Sequence, residues 1–101
     1  MVPRSELAAK TRAIFQERCY DCHKYDVARG GIKILHHRLL VSVRKVVIPG
    51  RPEESELYQL LVSPNEDRRM PPEPGKRLSA EEIETIRQWI EEGAPPFPKP
   101  V

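Results

Sequence analysis

Hydrophobic residues recur at helical spacing near the start of the chain. A first helix is predicted from Ser5, a good N-cap residue, to Arg18, whose charge suits the C-terminal end of a helix dipole. The stretch from Ile32 to Ile48 has no clear period, and its pattern does not decide between short strands and an ordered loop. The residues that share one side of the first helix, at i, i+4, i+7 and i+8, are Leu7, Thr11, Ile14 and Phe15.

Two further helices are predicted in the second half of the chain. Pro52 occupies a favourable first position for a helix over Glu53 to Val62. The last helix follows Ser79, which is predicted to form a capping box with Glu82, and it ends at Gly93 as the C-terminal cap. Its predicted staple and buried face are Leu78, Ile83, Ile86, Trp89 and Ile90.

The length of 101 residues predicts one domain. We assign it residues 1–93 and treat 94–101, with four prolines in eight residues, as a tail. The tail is predicted to begin a linker, although a frayed terminus fits its composition equally well. Hydrophobic residues make up 39% of the chain and aromatic residues 6%, so its core is thin and a large apolar cofactor would add to it.

Charge and hydropathy exclude two classes of protein. The formal net charge is +2 with acidic and basic residues interspersed, whereas a nucleic-acid binder has a clustered basic face. No apolar run approaches the roughly 18 residues of a transmembrane helix. The polar opening, Met1 to Arg4, shows no signal peptide, so we expect either that a signal has been removed or that the chain is a piece of a longer protein.

The pentapeptide Cys19-Tyr20-Asp21-Cys22-His23 is C-x-x-C-H, the attachment motif of c-type haem. Two thiols separated by two residues can reach the two vinyl groups on one side of a porphyrin, and the next residue then projects an imidazole onto the iron. A thioredoxin-like dithiol would follow a strand in a βαβ unit, but this motif follows a predicted helix. A zinc site would need two more ligands, and the adjacent His36 and His37 lack the spacing of zinc-finger histidines.

Met70 is the candidate for a second axial ligand of the iron. It lies in the predicted irregular loop from Ser63 to Leu78, and the two prolines that follow it stiffen the backbone. The alternative role is a methionine that fills a gap in the core. His36 and His37 are rival axial ligands, and bis-histidine ligation would give a lower potential than histidine with methionine.

Other residues are candidates for the surroundings of such a site. A backbone carbonyl near Pro49 is a candidate acceptor for the second ring nitrogen of His23. Trp89 and Tyr58 could contact the haem or belong to the core. Two arginines precede Met70, and they could meet a haem propionate, meet an acidic partner or be solvated; they are Arg68 and Arg69.

The order of these motifs resembles the planctomycete-type cytochrome c family over nearly the whole chain. The resemblance implies an all-α fold, a small cytochrome c with three to five helices around one covalent haem and with crossing first and last helices. It also implies thioether bonds at two cysteines and axial ligation by a histidine and a methionine. Lys24, where glycine is expected, and the short basic segment from His36 to Lys45 depart from the family pattern. The motifs are C-x-x-C-H at 19–23, P-G-x-P-x-x-S at 49–55, R-M-P-P at 69–72 and the stretch from Leu78 to Pro95; the implied ligands are Cys19, Cys22, His23 and Met70.

The resemblance implies an extracytoplasmic electron-transfer domain, not an enzyme, that holds one haem c. Redox proteins or a fused catalytic domain are its expected partners, because members are usually domains of larger surface or periplasmic proteins. Three alternatives remain open. The first is a haem-based sensor or catalytic domain in which a weak bond to Met70 opens to a small ligand. The second is a structural or carbohydrate-associated surface module, and the third is a haem-free zinc or dithiol module.

Overall fold

A computed structural model of the chain describes residues 3–18, 37–65, 67–71 and 77–98. The described part is all-α, as predicted, and contains no strand. None of its helices is long and apolar enough to cross a membrane. Its elements are α1 (Arg4–Arg18), a π-helical turn (Leu39–Val43), a 3-10 turn (Pro52–Glu54), α2 (Glu56–Val62) and α3 (Ala80–Glu91).

Helix α1 begins one residue earlier than predicted. The N–H of Leu7 donates to the carbonyl of Pro3 at 3.0 Å, so Ser5 is inside the first turn and is not the N-cap. Arg4, the first residue of the helix, also makes a tertiary contact, because its Nε donates to the carbonyl of Glu92 at 3.0 Å. The predicted apolar stripe is confirmed, and its buried residues are Leu7, Ala8, Thr11, Ile14 and Phe15.

The middle of the chain, from 37 to 62, consists of short elements. The sequence pattern did not decide between short strands and an ordered loop for the stretch from Ile32 to Ile48, and within 37–48 the backbone forms helical turns and irregular structure without a strand. The single helix predicted over Glu53 to Val62 is wrong, since the chain forms a 3-10 turn, breaks at Ser55 and starts again as α2. Ser55 has an extended backbone (φ −83°, ψ 120°), and its hydroxyl bonds to the preceding turn instead of capping α2.

Helix α3 has both of its predicted ends. The N–H of Glu82 donates to Oγ of Ser79 at 3.1 Å, and the Glu82 carboxylate accepts from the N–H of Ser79 at 2.9 Å, which completes the capping box. At the other end Gly93 has φ +96°, a conformation that favours glycine. The N–H of Gly93 donates to Ile90 and that of Ala94 to Trp89, at 3.0 and 2.8 Å, so the helix ends in a Schellman motif.

The core lies between α1 and α3, which pack against each other. Phe15 meets Trp89 edge to face with ring centroids 6.0 Å apart, and both side chains are fully buried. Because Arg4 contacts the end of α3 and Arg18 contacts Glu82 near its start, the two helices run in opposite senses. The other large, fully buried hydrophobic residues are Leu40, Val47, Ile86 and Ile90.

The residues after Gly93 pack on the helices as far as Phe97. The Phe97 ring stacks on Trp89 with centroids 5.3 Å apart, and Nε1 of Trp89 donates to the carbonyl of Pro95 at 2.9 Å. Ala94 is also buried. Ala94 and Phe97 therefore pack with the core of the domain, whereas Pro96 is exposed, and a linker beyond them stays a prediction.

Candidate functional site

The C-x-x-C-H residues Cys19, Cys22 and His23 lie outside the described residues. The residue before them, Arg18, is described, and it forms an ion pair with Glu82. Nε of Arg18 lies 3.5 Å from Oε2 of Glu82, and the two side chains are 29% and 22% exposed. Glu82 is itself held by the capping box of α3. The end of α1, from which the motif starts, is thus tied to the beginning of α3.

Met70 lies at the surface, not in the core. The residue is 37% exposed, whereas the aliphatic and aromatic residues of the described core are almost fully covered. A methionine that fills a gap between packed side chains would be enclosed by them. The exposure argues against a gap-filling role and leaves Met70 free to contact another group.

Short-range hydrogen bonds fix the backbone of the loop that presents Met70. The side chain of Asn65 accepts from the N–H of Asp67 at 3.0 Å, and its backbone carbonyl accepts from the N–H groups of Arg68 and Arg69 at 3.0 Å. The N–H of Met70 donates to the carbonyl of Leu60 in α2 at 3.0 Å. These bonds tie residues 67–70 to Asn65 and to the last turn of α2, so the backbone at the exposed Met70 is anchored.

The residue after Met70 anchors the far side of this loop. Pro71 is buried, and its carbonyl accepts a hydrogen bond from Nε of Arg77 at 3.1 Å. The Met70–Pro71 peptide bond is cis. Together with the bond to Leu60, these contacts hold Met70 from both sides.

The two arginines that precede Met70 differ in their surroundings. Arg68 is exposed, whereas Arg69 is partly buried. Nε of Arg69 is fully shielded from solvent, yet it has no hydrogen-bond partner in the described part of the chain. Nε of Arg18 is also shielded without a hydrogen bond, but it has the Glu82 carboxylate 3.5 Å away, whereas Arg69 has no ion pair in the described part of the chain. Burial of a guanidinium nitrogen without an acceptor is costly.

His37 is held by contacts with the C-terminal residues and α3, and His36 lies outside the described residues. Nε2 of His37 donates to the carbonyl of Ala94 at 2.7 Å. Its ring also makes edge contacts with Trp89 and Phe97, at centroid distances of 6.2 and 5.6 Å. His37 therefore helps to hold the C-terminal residues, and ligation of a metal through Nε2 would require that hydrogen bond to break.

Ser55 is a structural residue of the site that sequence reasoning did not single out. Its side chain is fully buried, and its Oγ accepts from the N–H of Ile48 at 2.8 Å and donates to the carbonyl of Arg51 at 2.9 Å. Gly50, at φ +82°, donates its N–H to the carbonyl of Ile90 at 2.7 Å. The serine of the P-G-x-P-x-x-S pattern was the available signal, because a serine six residues after a Pro-Gly turn can reach back to it.

This turn presents the carbonyl of Pro49, the predicted acceptor for His23. Pro49 is exposed, and its carbonyl accepts no hydrogen bond from the residues that the structure describes. Trp89 belongs to the core, and Tyr58 is partly buried against it, which favours the core interpretation of both. A contact of either ring with haem stays a prediction.

The resolved pKa shifts lie on surface ion pairs. Hydrogen bonds from Arg87 and then Gln88 lower the pKa of Glu84 to about 2, and Glu84 and Glu91 together raise the pKa of the Arg87 guanidinium. A hydrogen bond to Glu54 raises the pKa of Arg51, with N and O 2.9 Å apart. These groups are side-chain pairs three or four positions apart, and they act as local supports of helical turns.

These features define the chain as a small all-α domain with an exposed, well-anchored methionine after its second helix. Its sequence matches the family model described as planctomycete cytochrome C over residues 19–74, which is more than half of the chain. The chain belongs to this family, as the motifs predicted. No curated protein and no solved structure gives a significant match.

The family implies haem, and the described residues fit that group in two respects. Met70 is exposed, and a methionine thioether is a suitable ligand for haem iron. The shielded Nε of Arg69, one residue away, lacks an acceptor that a carboxylate would supply.

Proposed function

We propose that this domain transfers single electrons through one covalently bound haem c. Cys19 and Cys22 would form the thioether bonds, and His23 and Met70 would be the axial ligands. When bound, the haem iron would supply the chemistry by alternating between the ferric and ferrous states. The family match, which includes all four residues, supports this assignment.

The single observation that carries the proposal is the presentation of Met70. Met70 is 37% exposed while its N–H is bonded to Leu60, so the residue is accessible on an anchored backbone. A ligand whose backbone already has its hydrogen bonds loses less conformational entropy on binding. This arrangement favours firm ligation over the weak bond expected of a ligand sensor.

The carbonyl of Pro49 would orient His23 by accepting a hydrogen bond from its second ring nitrogen. Such an acceptor fixes which nitrogen faces the metal and makes the imidazole a stronger ligand. Two features support Pro49, its lack of a described hydrogen-bond donor and the anchoring of its turn by Ser55 and Gly50.

The same chain would not act as an enzyme by itself. Cytochrome c domains exchange electrons with other proteins, so we propose a redox partner protein or a fused catalytic domain as donor or acceptor. Thioether attachment of haem and the membership of the chain in this family favour an extracytoplasmic location.

The ligand assignment is tested by Met70→Ala in protein made with a c-type maturation system. We expect haem to stay attached, the weak red iron–methionine band to disappear and the midpoint potential to fall. Val62→Ala is the matched control, because it also truncates an exposed hydrophobic side chain in the same region. An unchanged band and potential in Met70→Ala would remove Met70 from the site.

The covalent attachment is tested separately. Replacement of both Cys19 and Cys22 by alanine should give protein from which any haem is extracted on denaturation. Haem that survives denaturation of this variant would contradict the assignment of the two thiols.

A further inference from the structure

Arg69 has an unsatisfied requirement for an acceptor. Its Nε is shielded from solvent and has no hydrogen-bond partner in the described part of the chain. A guanidinium is always protonated in proteins, and it forms its strongest contacts with planar carboxylates through paired N–H groups. An anionic carboxylate is therefore the acceptor that best satisfies the Arg69 guanidinium.

The position of Arg69 limits which carboxylate this is. Its backbone N–H is bonded to the carbonyl of Asn65, and the next residue, Met70, is bonded to Leu60. Neighbouring Cα atoms are about 3.8 Å apart, so a cofactor as wide as a porphyrin can bind the Met70 thioether and also meet the long Arg69 side chain at its edge. A haem carries two propionates at its edge, and no other carboxylate is delivered by the same binding event.

We propose that Arg69 binds a haem propionate through its guanidinium, an inference that rests on the proposed ligation of haem by Met70. One fixed loop would then hold the cofactor at two points, by a thioether at the iron and by a charge-assisted hydrogen bond at the edge. Arg68 differs, since its side chain is exposed and solvent meets its needs.

The contact has an electrostatic consequence for the redox equilibrium. The oxidised haem carries one more positive charge than the reduced haem. A cation held against a propionate in a partly shielded place therefore disfavours oxidation, and its effect is screened less than that of a surface charge. Arg69 thus raises the midpoint potential, whereas Arg68 contributes little.

The test compares Arg69→Gln, Arg69→Lys and the matched control Arg68→Gln in the haem-loaded protein. The readouts are the propionate bending mode in resonance Raman spectra and the midpoint potential at fixed pH and moderate salt. We expect Arg69→Gln to shift the propionate mode and to change the ratio of oxidised to reduced protein several-fold toward the oxidised form. A tenfold change corresponds to about 59 mV for a one-electron couple.

Arg69→Lys separates charge from hydrogen bonding. Lysine keeps the positive charge but has a methylene where arginine has Nε, so we expect the propionate mode to shift while most of the potential is retained. This variant also keeps the test decisive if Arg69→Gln does not fold.

Three outcomes would overturn the inference. The first is a propionate mode that is unchanged in both Arg69 variants, and the second is a potential change in Arg69→Gln no larger than that in Arg68→Gln. The third is an effect seen only on complex formation with an acidic redox partner, which would assign Arg69 to docking. In all three the iron–methionine band persists, whereas failure of the proposed function would remove that band from the unmodified protein.

Discussion

The turn that presents Pro49 depends on one buried hydroxyl, so Ser55→Ala should destabilise the domain strongly for so small a change. Oγ of Ser55 accepts from Ile48 at 2.8 Å and donates to Arg51 at 2.9 Å. Each bond contributes about 1 kcal/mol net, and a buried partner left without a hydrogen bond adds a further penalty of about 1 kcal/mol or more. We expect a loss of about 2–3 kcal/mol from a domain whose total stability is of the order of 5–15 kcal/mol.

The assay is urea unfolding of the haem-loaded protein, followed by far-UV circular dichroism. A lower midpoint at an unchanged slope would report a change in stability alone. Ser42→Ala is the matched control, because Ser42 is exposed and its hydroxyl bonds to none of the described residues. A loss below about 0.5 kcal/mol, the usual range of surface substitutions, would refute the role of the Ser55 hydroxyl.

Three further predictions concern stability and ligation. Glu84→Gln removes a pairing with Arg87 that holds the pKa of Glu84 at about 2, below its unfolded value of 4.5. Because the lowered pKa stabilises the fold only while Glu84 is ionised, the difference from the unmodified protein should be present above about pH 4.5 and vanish toward pH 2. For so exposed a pair we expect it to be about 0.3–0.5 kcal/mol, and unfolding curves at stepped pH check this; a difference that persists at pH 2 would contradict it. His37→Phe should leave the visible spectrum unchanged but cost about 1 kcal/mol, since it loses the hydrogen bond to Ala94; loss of the low-spin spectrum would instead assign His37 to the iron. Gly93→Ala should cost about 1–2 kcal/mol in thermal unfolding, because alanine is strained at φ +96°; an unchanged midpoint would show that the Schellman turn adapts.

The parts of the fold that the sequence predicted are those specified by neighbouring residues. The capping box of Ser79 and Glu82, and Gly93 at the end of α3, are signals within one or two turns of each other. The start of α1 was missed by one residue, because Ser5 has the residue type of a good N-cap but lies inside the first turn, whose first bond runs from Leu7 to Pro3.

The break between the 3-10 turn and α2 was not predictable from local pattern alone. Glu53 to Val62 reads as one continuous helix, yet the hydroxyl of Ser55 bonds to Ile48, seven residues earlier. The π-helical turn at Leu39–Val43 was missed for a different reason. Its residues are nearly all apolar, so their pattern has no period that would indicate a helix.

In the candidate site too, local sequence predicts some features, and others depend on packing between distant residues. Met70 was identified from its own loop, because its prolines and polar neighbours are adjacent in sequence. The contrast between Arg68 and Arg69 was not, because two consecutive arginines look alike until packing shields one of them. The hydrogen bond from His37 to Ala94 was likewise not predictable, because it joins residues 57 positions apart.

The most direct test of the central claim is the visible spectrum of the protein made with a c-type maturation system, oxidised and reduced, before and after denaturation. We expect one haem that stays attached through denaturation, a low-spin reduced spectrum and the weak red band of iron–methionine ligation in the oxidised protein. Covalent haem without that band would contradict ligation by Met70, and protein without haem would contradict the proposed function as a whole.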